Sequence, residues 1–492
     1  MFSLQKSSNL NRYNILSRGL PRSPGSLEFQ MKTSFSDEER ALAGEALNEL
    51  QSRRLVAPSL ENFLRTSFRR LLTREKELVL EARIPSLEEL NEKFEDIKEF
   101  GLYLHIPFCE QICTYCPYNK EIYKPETAEA YTNAVKREID FYSDVVGDKP
   151  VTSFYIGGGT PTTMLYSGIE EILDHIFVIF NMQCEIHMES HPNHLTSENL
   201  NAIIDMGVKH LSMGVEALQD KHLKTLGRPY TAEKAKAAVE HAVNMDFECV
   251  NVDLMFALPN QTYNEVEQAG QALVDMGVDQ IAAYPLFRFP YTKMGGNSEE
   301  SNYNISTVFK RRKMLSILEN IFYDAGFERT SVWAFTKKEV PKYCSVTVPL
   351  YVGLGASGGT YLKDIFYLNT FNVSEYISAI ENETMPIALS LNLSESMQMA
   401  WWFYWRVYET RFRRSDFRER FRREFDEVYG KYINPLSSFG FLKDDGDRIV
   451  LTDRGAYWLH AIEDLFSINY ISKLWGTSKQ EPWPKRVDLQ QI

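Results

Sequence analysis

From Leu102 onward the chain alternates short β-branched or aromatic runs with longer amphipathic stretches, and few folds accept that rhythm. The strand candidates are LYLHI (102–106), SFYI (153–156), EIHME (185–189), HLSMG (210–214), VNVDLM (250–255) and IAAY (281–284). Between them lie helix candidates near 126–146, 167–180, 196–206, 231–246 and 262–276. Strands that alternate with helices are parallel and joined by right-handed crossovers. Six such units predict an α/β fold, an open partial (β/α)6 barrel of the TIM type. A doubly wound open sheet is the other architecture this rhythm admits.

The flanks read differently. Residues 1–33 are rich in Ser, Asn, Arg, Pro and Gly and suggest a loose arm. From about Ser36 to Lys98, apolar residues recur at three- and four-residue spacing, as in DEERALAGEALNELQSRRL, which predicts a helical lead-in. Towards the C-terminus, LSESMQMAWWFYWRVYE and SDFRERFRREFDEVYGKYINPLSSFGFL read as aromatic-rich helices, DDGDRIVLTDRG as a turn and short strand, and AYWLHAIEDLF as a further helix. Helices followed by a small β-wing predict a winged-helix-like domain. The expected division is therefore 1–99 (arm and lead-in), 100–330 (barrel) and 331–492 (helical and winged domain).

A formal net charge of −13 over 492 residues argues against nucleic acid as the partner, because such binding needs a concentrated basic surface. One basic stretch exists, from Arg411 to Arg423, but Glu409, Asp416, Glu419 and Glu424 interleave with it. That pattern predicts a solvated helix face with i,i+4 ion pairs; a cradle for substrate carboxylates is the alternative. No apolar run approaches the roughly 20 residues that span a bilayer. With no secretory signal pattern at the start, the expectation is a cytoplasmic protein with no membrane span.

Of six cysteines, three fall together as C-x-x-x-C-x-x-C in YLHIPFCEQICTYCPYNK, directly after the first strand candidate. Cys109, Cys113 and Cys116 can bind three irons of a 4Fe-4S cluster, and no fourth cysteine is near. The open iron then suits a small chelator such as the methionine end of S-adenosyl-L-methionine (SAM). Reductive cleavage there yields a 5′-deoxyadenosyl radical that abstracts hydrogen, with the protein positioning the cofactor. Zinc is the competing reading; it wants four ligands, with His105 the nearest candidate. GGGTPT (157–162) follows the second strand candidate, at the same end of the sheet, and lets backbone approach a ligand closely. Glu189, Glu216 and Asp253 sit at or near later strand ends, where buried carboxylates are costly unless hydrogen-bonded. His187, His191 and His194 are not expected to form a second metal site, and Trp401, Trp402 and Trp405 are expected to be core packing.

Taken in order, YLHIPFCEQICTYC, GGGTPT, ESHPNHLT, LSMGVEALQDKHLKTLGR and NVDLMFALPNQT resemble the oxygen-independent coproporphyrinogen III oxidase family of radical SAM proteins. That family includes haem chaperones and two-SAM methyltransferases. The resemblance covers roughly residues 100–460 and implies a radical SAM partial barrel with a C-terminal helical and winged domain. It implies Cys109, Cys113 and Cys116 as cluster ligands. Tyr103, Tyr115, Gly159 and Glu189 match positions around a first SAM; Thr160, Glu216, Arg228 and Asp253 match positions around a second. It further implies a small-molecule substrate, a tetrapyrrole in porphyrin and haem metabolism, and a one-electron reductant such as flavodoxin or ferredoxin. The chain departs from the oxidases at Tyr118, where they usually carry a further cysteine, and at Glu216, where a glutamine is usual. Three activities fit: an oxidoreductase that decarboxylates porphyrinogen propionates, a haem chaperone with little turnover, and a two-SAM radical methyltransferase. No catalytic acid or base is legible.

Overall fold

All six expected strands form in the computed structural model, which describes residues 78–296, 305–340 and 348–489. They are β1 (Phe100–Ile106), β2 (Pro150–Gly158), β3 (Ile186–Ser190), β4 (Val208–Glu216), β5 (Cys249–Phe256) and β6 (Gln280–Pro285). Between them run α1 (Pro125–Val146), α2 (Ile169–Ile179), α3 (Ser197–Asp205), α4 (Ala232–Val243) and α5 (Tyr263–Asp275). The six strands lie side by side in chain order and parallel. A doubly wound sheet would reverse its order at a switch point; this one does not, so the architecture is the partial barrel. Local chemistry marks the helix starts. Thr196, Thr231 and Thr262 each cap a helix by accepting from the backbone N–H three residues on, and Thr262 completes a capping box with Glu265.

Each strand divides its residues by the period of two. Leu102, Leu104 and Ile106 of β1, with Phe154 and Ile156 of β2, are buried against the helical layer. Tyr131, Val135, Ile139 and Tyr142 of α1 form part of the same core. Each such fully buried side chain contributes roughly 1.5–3 kcal/mol relative to exposure. The alternate residues face the barrel lumen.

The sheet continues past both edges of the barrel. Beyond β6 come the antiparallel strands Ala334–Lys337 and Phe327–Arg329. Beyond β1 comes Tyr351–Leu354, parallel to it, then Gly359–Leu362, Ile365–Asn369 and Ile387–Asn392. Val79–Glu81 and Arg486–Asp488 complete that edge. No barrel closes among the described residues. Of the expected lead-in, residues before 78 lie outside the described residues; the remainder holds the strand Val79–Glu81 and one helix, Leu87–Glu95.

The winged arrangement forms as well: helices Glu395–Tyr408, Arg414–Phe421, Phe425–Ser438 and Asp453–Gln480 surround the three-stranded sheet of Arg411–Arg413, Arg448–Leu451 and Leu442–Asp444. The basic stretch is not one helix face. Arg411–Arg413 is a strand, and the helix after it ends where Arg422 turns left-handed at φ 55°. Its ion pairs cross elements, as Arg414 with Asp444 and Asp426 and Arg423 with Glu395, instead of running i,i+4. No described helix is long and apolar enough to cross a membrane.

Glu138, fully buried on α1, ties the barrel to the sheet extension. Its carboxylate accepts from the Gly355 N–H (2.7 Å), the Asn369 amide (2.7 Å) and the Tyr376 hydroxyl (2.6 Å). Burial outweighs these three donors and raises its pKa from 4.5 to about 7. The folded state therefore holds this proton more tightly than the unfolded chain, and stability falls as pH rises from about 4.5 through about 7. Glu138→Gln is expected to flatten that segment of a denaturant-midpoint-against-pH curve. A variant with the wild-type slope would remove Glu138 from its cause.

Candidate functional site

The cysteine loop grows from the end of β1. Phe108–Cys109 pairs with Glu121–Ile122, so the loop is pinched at its neck. Its body is fastened to the helix Asp220–Leu226: the Gln111 amide donates to Gly227 O (2.6 Å) and the Thr114 hydroxyl to Leu226 O (3.1 Å). The exit is held by Asn119, whose amide donates to Phe371 O (2.7 Å). His105 also holds it. Its Nε2 lies 3.0 Å from Asn119 O and so must donate, leaving Nδ1 to accept from the Tyr103 hydroxyl at 3.0 Å. Burial pushes the His105 pKa down to about 4, which keeps the ring neutral for that role. Both ring nitrogens are engaged, so His105 is not free to be a fourth ligand.

The glycine triplet docks this loop. Gly159 N–H donates to Ile106 O (2.7 Å) and Thr160 N–H to Phe108 O (2.8 Å). A Cβ on Gly159 would stand 2.7 Å from Phe108 O, and one on Gly158, at φ +119°, 2.6 Å from the His105 ring. Closeness to a ligand was the expectation; closeness to the cysteine loop is what the structure adds.

All three cysteines line one cavity of about 510 Å³ that opens over the C-terminal ends of the strands. The Thr160 hydroxyl lies 3.5 Å from Cys109 Sγ, and an Arg228 guanidinium N–H donates to Cys113 Sγ at 3.2 Å. Burial pushes the Cys109 thiol up to about 12, so a bound metal is what would hold it as thiolate. Among the described residues no three His, Cys, Asp or Glu side chains are placed to hold a single metal ion. This includes His187, His191 and His194. A cubane asks for something else, one thiolate on each of several irons, and three thiols on one cavity wall fit it.

The expected carboxyls converge. Glu189, Glu216 and Asp253 line the same cavity. Glu189 accepts from the Tyr155 hydroxyl (2.9 Å) and Gly158 N–H (3.1 Å); burial raises its pKa to about 7. Asp253 is raised by burial first, then by Glu216 and Glu189, and accepts from the Asn251 amide (2.8 Å). Glu216 holds φ +68° and accepts from the Tyr284 hydroxyl (3.0 Å). Arg228 is the nearby countercharge. It donates to Tyr230 Oη (2.7 Å) and also to Gly214 O. Carboxyls whose pKa is raised by burial gain from a cation beside them, and SAM carries a sulfonium and an ammonium. Tyr115, Gly159, Thr160 and Arg228 line the cavity too, while Tyr103 stacks on Tyr155 just beside it, at 6.4 Å between ring centroids.

Sequence reasoning missed part of the wall. Asn251 lines the cavity with its Oδ1 buried and unpartnered. The signal was present, since it stands one strand period before Asp253. Trp405 lines the cavity, whereas Trp401 and Trp402 pack into apolar clusters as expected. Trp333, Trp475 and His460 form more of the wall; nothing local in the sequence marks them. The helix Asp453–Gln480 brings Trp475 against Tyr118, 5.8 Å between ring centroids.

An open parallel barrel with a three-cysteine loop after its first strand, a glycine turn after its second and carboxyls at later strand ends defines a radical SAM protein. The Radical SAM superfamily pattern matches residues 103–273, and the HemN C-terminal domain pattern matches residues 412–458. Heme chaperone HemW of Bacillus subtilis is 24% identical over 72% of this chain and 95% of its own length. Anaerobilin synthase of Escherichia coli O157:H7 is 26% identical over 60% of this chain and 68% of its own. Among solved structures, coproporphyrinogen III oxidase (HemN) from Escherichia coli superposes with a TM-score of 0.68 over 78% of this chain and 93% of that one, at 18% identity. The chain thus carries a radical SAM domain followed by a HemN C-terminal domain, which fits the HemN-like radical SAM family. Its cofactors are a 4Fe-4S cluster and SAM.

Proposed function

We propose that this chain is a cytoplasmic oxidoreductase of porphyrin and haem metabolism that removes hydrogen from a tetrapyrrole, with oxidative decarboxylation of coproporphyrinogen III propionates as its reaction. The observation that carries this is the aromatic wall that shares a cavity with the cysteine loop. Trp333, Tyr404, Trp405, Tyr408, His460 and Trp475 line one cavity with the three thiols. Such a wall suits a large apolar macrocycle and excludes water from a reactive site. When bound, the reduced cluster and SAM supply a 5′-deoxyadenosyl radical, the hydrogen-abstracting species. The chain's own residues would orient these groups: Cys109, Cys113 and Cys116 would hold the cluster. Tyr103, Tyr115, Gly159 and Glu189 would surround a first SAM, and Thr160, Glu216, Arg228 and Asp253 would line the place of a second. The electron comes from a one-electron donor of the flavodoxin or ferredoxin type.

A second reading, a haem chaperone, is favoured by the alignment that spans 95% of a relative named Heme chaperone HemW. One anaerobic experiment separates the readings. Reduced protein, SAM and coproporphyrinogen III are expected to give deoxyadenosine and a product lighter by two carboxyl groups. Stoichiometric haem binding without that product would favour the chaperone. S-adenosylhomocysteine beside deoxyadenosine would favour a methyltransferase.

A further inference from the structure

Two lysines meet on the backbone that leaves the third cysteine. Lys120 Nζ donates to Cys116 O (2.6 Å) and Tyr118 O (2.9 Å). Lys479 Nζ donates to Pro117 O (2.6 Å) and to the same Tyr118 O (3.0 Å). Lys120 belongs to the loop itself; Lys479 arrives from the last turn of the helix Asp453–Gln480, some 360 residues away in sequence. A lysine at a helix C-terminus can hydrogen-bond its own helix's last carbonyls. This one reaches across to another element, beside Trp475 and over the Tyr291 ring at 4.8 Å.

We propose that Lys479, together with Lys120, is a positioning and potential-setting residue for the cluster, a two-ammonium clamp through which the C-terminal helix tunes electron uptake at Cys116. This rests on the cluster reading above. Like charges are brought together here at a Coulombic cost, and a negative charge next to them relieves it. Uptake of one electron from an external low-potential donor adds one negative charge beside Cys116. The clamp stabilises that reduced form more than the oxidised one, so its loss lowers the potential. Lys479 has an exposed side chain, so the effect shrinks as salt is added.

The test is a redox titration of the reconstituted, SAM-free full-length protein, followed by electron paramagnetic resonance. Lys479→Gln keeps a donor and removes the charge. It is expected to retain wild-type iron and sulfide and to lower the ratio of reduced to oxidised cluster about tenfold at fixed poise, which is 59 mV for one electron. Lys479→Arg keeps the charge and is expected to keep the potential. A loaded Lys479→Gln with the wild-type potential would overturn the proposal. So would a shift in Lys479→Arg as large as that in Lys479→Gln, since packing would then be the cause. Wild-type protein that takes up no iron or sulfide would instead sink the cluster reading.

Discussion

Cys113→Ala is expected to fold and to hold no 4Fe-4S cluster, with deoxyadenosine formation at background. The half-buried thiol is not what shapes the loop: the neck pairing at Cys109–Ile122, the Gln111 and Thr114 bonds and the Asn119 tether remain. Arg228 loses one acceptor but keeps Gly214 O and Tyr230 Oη. Unfolding of the metal-free variant should therefore move by less than roughly 1 kcal/mol. Cluster binding should not survive, because a cubane normally takes four thiolates and this loop offers three. Two thiolates are too few. Iron and sulfide analysis with visible absorbance decides it. A full cluster in the variant would sink the ligand assignment, and a collapsed fold would show that the thiol packs more than the geometry says.

What the sequence revealed and what it hid follow from how local each cause is. The strands from Phe100 to Pro285 and the helices between them were legible because hydrophobic periodicity is a property of neighbours. The sheet extension was not. Tyr351 pairs with Gly101, and Arg486 with Glu81, and no short window contains both partners. The basic stretch misled for a related reason. A strand register of Arg411 with Val450 and the left-handed turn at Arg422 override its helical spacing. In the site, the cysteines and carboxyls announced themselves by type and position. Trp405 and Trp475 looked like ordinary helix residues until the fold put them on one cavity.

Gly159→Ala is expected to be a damaging one-atom change at the site. Three backbone atoms crowd the new Cβ: Phe108 O at 2.7 Å, Pro107 C at 2.9 Å and Phe108 N at 3.0 Å. Backbone cannot swing aside as a side chain can, so the turn and the cysteine loop must part. Overpacking of this kind costs roughly 1–3 kcal/mol. The bonds from Gly159 N–H to Ile106 O and from Thr160 N–H to Phe108 O are put at risk, at roughly 0.5–1.5 kcal/mol each. A loss of about 2–4 kcal/mol in chemical denaturation, with weakened cluster retention, is the expected result. Gly157→Ala is the matched control. Its Cβ would meet Glu189 Oε1 at 2.9 Å, the end of a side chain that can yield. It should cost less stability while disturbing Glu189 and with it SAM affinity. If the two variants are equally stable and equally loaded, the triplet does not dock the cysteine loop, and its glycines would serve only the ligand.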